Sequence, residues 1–235
     1  MTHCGLGQWL LRLIFGSLLI GVCGCAGNHP TEGWTFWPFG VSTDKVPGLT
    51  SPPERIAAMR KAAAEAAKKG PDEQERVARE LAGSLPQEID PIIRLEIVRA
   101  MRGLQAPTGT STLRSALKDS DADVRVVACK AWGKRGGPEA AALLSEVLLS
   151  DIDADVRLAA VRALGQVGDR SAVDALGKSL DDRDPTMQYY AVDSLRRISG
   201  QDYGHDLNKW RQYAKGETPA SSQPLSIADR VRRIF

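Results

Sequence analysis

Histidine is scarce in this chain of 235 residues. His3, His29 and His205 stand far apart in sequence, so there is no run of imidazoles from which a metal site or a shared acid–base centre is usually built. Cysteine is also sparse. Cys4, Cys23 and Cys25 crowd the first 25 residues, and Cys129 stands alone in the body, which excludes a disulfide framework. Neither charge sign dominates. The 31 basic and 29 acidic residues leave a formal charge of +2, so nothing in the composition draws the whole molecule to nucleic acid or to an anionic membrane. Leu13 to Val22, an apolar run of ten residues, is too short to span a bilayer comfortably. The body has no complete Gly-x-x-x-x-Gly-Lys-Ser/Thr phosphate loop (Gly177-Lys-Ser179 has Ala172 in place of the first glycine), no Gly-x-Ser-x-Gly elbow and no Cys-x-x-Cys pair, the motifs that most directly announce phosphate, acyl-transfer or metal chemistry.

What the chain does have is a period. Asp153-Ala-Asp-Val-Arg-Leu-Ala-Ala-Val-Arg-Ala-Leu-Gly165 reads as a helix with its boundaries written in. Asp153 suits the N-cap, Asp155 places negative charge in the first turn, and Val156, Ala160 and Leu164 form one apolar stripe. Gly165 or Gly168 supplies the stop. Asp121-Ala-Asp-Val-Arg125 lies 32 residues earlier, Asp90-Pro-Ile-Ile-Arg94 another 31 before that, and Asp184-Pro-Thr-Met-Gln188 31 after Asp153. Aligned on these aspartates, the columns agree in kind: Ile97, Ala128, Ala160 and Ala191 are small or apolar, Val98, Cys129, Val161 and Val192 apolar, and Met101, Trp132, Leu164 and Leu195 large. Shorter helices are predicted between these A-helices, over about 109–118, 138–150 and 171–180. One such pair cannot bury its faces alone, so neighbours must stack.

The pattern of residues 153–165 resembles a HEAT repeat, and is more closely similar to the short HEAT-like repeats of phycobilin lyases. The resemblance implies an all-α fold: an α-solenoid, a superhelix of antiparallel helix pairs. It covers residues 88–200, within a repeat body at 87–215. Residues 54–86 read as a divergent N-terminal pair, with one helix opened by Ser51-Pro-Pro-Glu-Arg and broken at Gly70-Pro71, and a second ended by Leu85-Pro86. Residues 206–215 read as a capping helix that turns Leu207, Trp210 and Tyr213 or Ala214 inward.

Val22-Cys-Gly-Cys25, behind Arg12 and the apolar run, resembles a bacterial lipobox. The resemblance implies that residues 1–24 are a lipoprotein signal peptide and that Cys25 becomes the acylated N-terminus; more than one acyl chain makes such an anchor stable. Cys23 is a departure from the small residue usual at its position. Residues 25–53 are dense in glycine and proline and read as an irregular tether. Within it, Trp34-Thr-Phe-Trp-Pro-Phe39 has three readings open: packing on the first helix pair, contact with the membrane interface, or docking to another protein. Residues 216–235 read as a spacer and an amphipathic helix, Ser226 to Phe235, either docked on the body or presenting its basic face to a partner or an anionic membrane surface.

Asp90, Arg94, Asp121, Arg125, Asp153, Arg157 and Asp184 form a repeated Asp/Arg ladder. In HEAT-like repeats the matching arginine bonds aspartates of its own or the next turn, for which Asp121, Asp123, Asp153 and Asp155 are available; Gln188 breaks the ladder in the last copy. Cys129 reads as a buried small hydrophobe, and His205, beside Asp202 and Asp206, as a solvated loop residue. Di-iron hydroxylases on this kind of fold need repeated His-Glu pairs, and DNA glycosylases need a basic groove; the sequence has neither pattern. The expectation is therefore no catalytic, metal or cofactor residue and no nucleic-acid ligand. The chain reads as a lipid-anchored scaffold in the cell membrane or outer membrane, facing the periplasm or exterior. Its concave face, lined mainly by the B-helices, would bind a protein or peptide of the cell envelope. An enzyme or lyase-like subunit holding a small ligand in the solenoid groove is the alternative.

Overall fold

A computed structural model describes residues 50–219, which fall within one unit, Gly48–Phe235. The expectations for the signal peptide, Cys25, the aromatic cluster at 34–39 and the helix from Ser226 to Phe235 lie outside the described residues. Ten α-helices follow one another there: α1 Pro52–Ala66, α2 Pro71–Ser84, α3 Pro91–Met101, α4 Pro107–Ala116, α5 Ala122–Arg135, α6 Gly137–Ser150, α7 Ala154–Val167, α8 Val173–Ser179, α9 Pro185–Ser199 and α10 Leu207–Ala214. The described residues contain no strand.

Each A-helix of the body begins on its aspartate. Asp90 accepts from the Ile92 N–H at 2.9 Å, Asp121 from Val124 at 3.2 Å, Asp153 from Asp155 at 2.9 Å and Val156 at 3.2 Å, and Asp184 from Thr186 at 2.8 Å. These carboxylates satisfy first-turn donors that have no partner inside the helix. The helix of α7 stops at Gly168, whose φ of 73° suits glycine. Gly165 lies inside the helix and serves packing instead.

The odd-numbered helices form one layer and the even-numbered helices the other, so the chain is an α-solenoid. All twelve residues of the three aligned columns are buried, from Ile97 to Leu195. Each large one contributes about 1.5–3 kcal/mol of apolar burial. The A-layer is drawn tight by small residues. A methyl group on Gly133 would stand 2.9 Å from Ala163 Cβ, and one on Gly165 2.4 Å from Ser194 Oγ, distances that only a missing side chain permits. Ser194 uses its hydroxyl to donate to the Val161 carbonyl at 2.9 Å, tying α9 to α7.

The two ends differ from the middle. At the N-terminal end α1 closes against α3 by a bidentate pair, Arg60 to Glu96 at 2.8 and 2.9 Å. At the C-terminal end α10 lies on α8, with Ala214 over Gly177. Trp210 is fully buried, donates its indole N–H to the Gly204 carbonyl at 3.0 Å and meets Tyr203 edge to face, which keeps its polar atom satisfied inside the cap. The helix α8 is shorter than the periodicity predicts, because Arg170–Ala172 forms a 3-10 turn capped by Asp169 before the α-helix begins.

Candidate functional site

The arginine ladder is built into the frame. Arg94 donates from one guanidinium nitrogen to the Glu88 and Ile89 carbonyls at 3.3 and 2.9 Å, and its remaining fork grips Asp119 at 3.0 and 2.8 Å. Arg125 repeats this on the Asp119 and Ser120 carbonyls, at 2.9 and 3.3 Å, and on the Asp151 carboxylate, at 2.8 and 2.9 Å. Arg157 keeps the carbonyl half, to Asp151 and Ile152 at 3.0 and 3.2 Å, without a carboxylate fork among the described residues. Gln188 reproduces one bond, to the Asp182 carbonyl at 2.7 Å. The carboxylates that the arginines meet are thus Asp119 and Asp151, two residues before the N-caps, and not Asp121, Asp123, Asp153 or Asp155. The N-cap aspartates already spend an oxygen on backbone donors. Burial, the largest single influence, raises the Asp119 and Asp151 carboxyls, but the arginine hydrogen bonds, the Asp121 and Asp153 backbone N–H groups and the guanidinium charge together outweigh it, and both stay below the usual aspartate value.

With the ladder occupied, the free polar groups lie elsewhere. A groove of about 740 Å³ opens on the A-helix layer, across α3, α5 and α7. The concave face was expected to be lined mainly by the B-helices; this groove lies on the other layer. Its floor is Val126, Gly133, Leu158, Ala159 and Ala163. Asp123 and Asp155 stand at its rim in the first turns of α5 and α7, while Arg102, Lys130, Lys134 and Arg162 come from the later turns of α3, α5 and α7 or just past them. At 1.5 Å per residue, the seven residues from Asp123 to Lys130 separate the acidic and basic edges by about 10 Å. Arg102, Lys130 and Lys134 form no ion pair among the described residues, and Arg162 places its guanidinium 4.7 Å from the Tyr190 ring centre. Arg99, in the same column as Lys130 and Arg162, is committed: with Arg60 it pairs with Glu96. Those bonds, with Arg60's the strongest, hold the buried Glu96 carboxyl below its ordinary value.

Two further residues matter to the frame, one of them unforeseen. Arg135, at the end of α5, forms no ion pair among the described residues, although Glu139 acts on its half-buried guanidinium from a distance. It donates instead to Thr110 Oγ1 at 2.8 Å and to the Leu104 and Met101 carbonyls at 2.7 and 3.3 Å, and burial lowers its pKa. Cys129 is buried, and desolvation pushes its thiol up to about 12. His205 is exposed, its ring 6.4 Å from that of Tyr189. Among the described residues no group of three or more His, Cys, Asp or Glu side chains converges as a metal site would.

The family model described as HEAT repeats matches residues 81–160 and 144–210. The chain belongs to the HEAT-repeat family. No curated protein sequence matches it. Solved structures similar to this HEAT-repeat chain include an engineered protein, at 21% identity, covering 72% of this chain and 82% of its own, with a TM-score of 0.45. They also include a designed armadillo repeat protein in complex with the peptide (KR)4, at 20% identity over 71% of this chain and 84% of its own, with a TM-score of 0.46.

Proposed function

We propose that this HEAT-repeat chain is a lipid-anchored, extracytoplasmic scaffold whose A-layer groove binds a protein or peptide segment in the cell envelope. The observation that carries the reading is the groove itself: a long apolar floor between charged edges whose cations are left unpaired, on a frame whose ladder arginines are already consumed. The lining holds no histidine, cysteine or serine, so the surface suits recognition better than acid–base or nucleophilic work. The anchor reading rests on Val22-Cys-Gly-Cys25 alone. In it, residues 1–24 are removed, Cys25 carries the acyl chains, and residues 26–53 hold the solenoid off the membrane surface.

Both halves are open to test. A photo-crosslinking amino acid at Lys130, inside the groove, is expected to give discrete adducts in intact cells, while the same group at Ser115, exposed on α4, gives none. Adducts at neither position would overturn the scaffold reading. Cys25→Ser is expected to abolish acyl labelling and release the chain from membranes; unchanged retention and labelling would refute the anchor.

A further inference from the structure

Resting on that scaffold reading, we infer that the groove's occupant is an extended acidic peptide segment whose carboxylates recur at every third residue. The groove is polar in one direction only. Along the helices, its rim passes from Asp123 and Asp155 to a strip of cations. Across the helices the strip continues from Arg102, just past the end of α3, to Lys130 and Lys134 on α5, to Arg162 on α7, where Tyr190 of α9 stands against the last guanidinium. A segment lying across the helices therefore meets positive charge at each helix it passes. Four cations face two carboxylates in this lining, and the surplus calls for a ligand that brings negative charge of its own.

Spacing sets the register. Packed helices stand about 8–10 Å apart. A chain in polyproline II conformation rises about 3.1 Å per residue with three residues per turn. Residues i, i+3 and i+6 then point to one side at intervals of about 9 Å, which matches the helix spacing. Small side chains in between suit the apolar floor of Val126, Gly133, Leu158, Ala159 and Ala163. A polyanion of uniform charge, such as a nucleic-acid strand or an anionic lipid surface, fits less well, because Asp123 and Asp155 share the same groove and repel it.

The test uses the full chain purified in mild detergent and the anisotropy of a fluorescein-labelled peptide. The probe is about twelve residues of alanine and serine with glutamate at every third position, a length of about 37 Å in the conformation proposed. Comparators are a peptide of the same composition with its glutamates contiguous, the lysine counterpart, single-stranded DNA, and vesicles of phosphatidylglycerol and phosphatidylcholine. Saturable binding of the spaced acidic peptide below about 1 mM is expected, weakened about tenfold or more by Lys130→Glu with Arg162→Glu, a loss of about 1.4 kcal/mol or more, and weakened again by salt. Lys130→Gln with Lys134→Gln repeats the measurement if the reversal variant loses its helical circular dichroism. No binding of the spaced peptide, equal binding of the lysine or contiguous peptide, indifference to both variants, or groove-dependent preference for DNA or vesicles would each overturn the inference. Crosslinks from Lys130 in cells alongside such a failure would leave the scaffold standing and remove only the acidic register; their absence would remove the scaffold itself.

Discussion

Asp151 joins two repeats through a single carboxylate. It receives the Arg125 fork from α5 and the Asp153 N–H from its own loop, and both members of the ion pair are nearly buried, at 11% and 9% side-chain exposure. Asp151→Asn leaves Arg125 without its counter-charge, and a loss of about 2–4 kcal/mol in urea unfolding is expected. Asp155→Asn, at the groove rim, removes only a first-turn charge and should cost about 1 kcal/mol or less. The pH dependence has a definite sign. Folded Asp119 and Asp151 lie below their unfolded values, so their contribution is present above the ordinary aspartate range and is lost as pH falls through the folded values; Asp151→Asn should flatten the acid limb. Cys129 has the opposite sign. Its folded thiol is raised from 9.0 to about 12, so its contribution is intact below the lower value and drains away as pH rises through the upper one, and peptide mapping should find it unalkylated in the native chain at pH 8. The N-cap aspartates and the burial of Cys129 were legible in the sequence, because capping and apolar columns are local and periodic. The true carboxylate partners of Arg94 and Arg125 were written there too, as Asp119 and Asp151, in a column two residues before the N-caps that Glu88 and Asp182 share. No local pattern marks them, because a loop carboxylate meets its arginine only after two repeats have stacked.

At the scale of the helix, glycine tells most about how the layers pack. The sequence offered Gly165 and Gly168 as equal candidates to stop α7, and the stack separates them: Gly168 ends the helix, while Gly165 sits in its interior against Ser194. Alanine at Gly165 would gain about 1 kcal/mol of helix propensity in isolation. Here its methyl meets Ser194 Oγ at 2.4 Å, Cβ at 2.9 Å and Cα at 3.0 Å, so α9 must move and the Ser194 bond to Val161 must stretch. Gly165→Ala is therefore expected to be a net loss of about 1–3 kcal/mol in thermal unfolding, against the helix-propensity trend. The same small residues bear on the groove of the A-layer. Helix existence and pairing follow from periodicity, but which layer carries the open surface depends on how closely neighbours of each layer approach. The A-layer column Ala131, Ala163 and Ser194, beside Gly133 and Gly165, contained that answer. The stack is what places Lys130, Lys134 and Arg162 beside one floor.

Across the whole stack, stability should follow the number of neighbours each pair has. Repeat arrays hold together by nearest-neighbour interfaces, and their ends open at lower free energy than their middle. The first pair supplies Ala63, Ala66, Val77, Ala78 and Leu81 to the core, mostly small residues, whereas α5 and α7 each bury seven, including Trp132 and Leu164. Hydrogen exchange should therefore be fastest in α1 and α2 and slowest in α5 and α7. The clasp of Arg60 on Glu96 spans the interface between the first and second pairs, so Arg60→Ala should quicken exchange in α1 and α2 while leaving α7 to α9 unchanged. Leu164→Ala acts at the centre, where a truncated buried leucine costs about 2–5 kcal/mol, and should raise exchange from α5 through α9 together. A fold held by one undivided core would answer both substitutions with the same uniform change. A solenoid answers the first at its end and the second on both sides of the damaged repeat, and that contrast ties the groove's shape to the integrity of α3, α5 and α7.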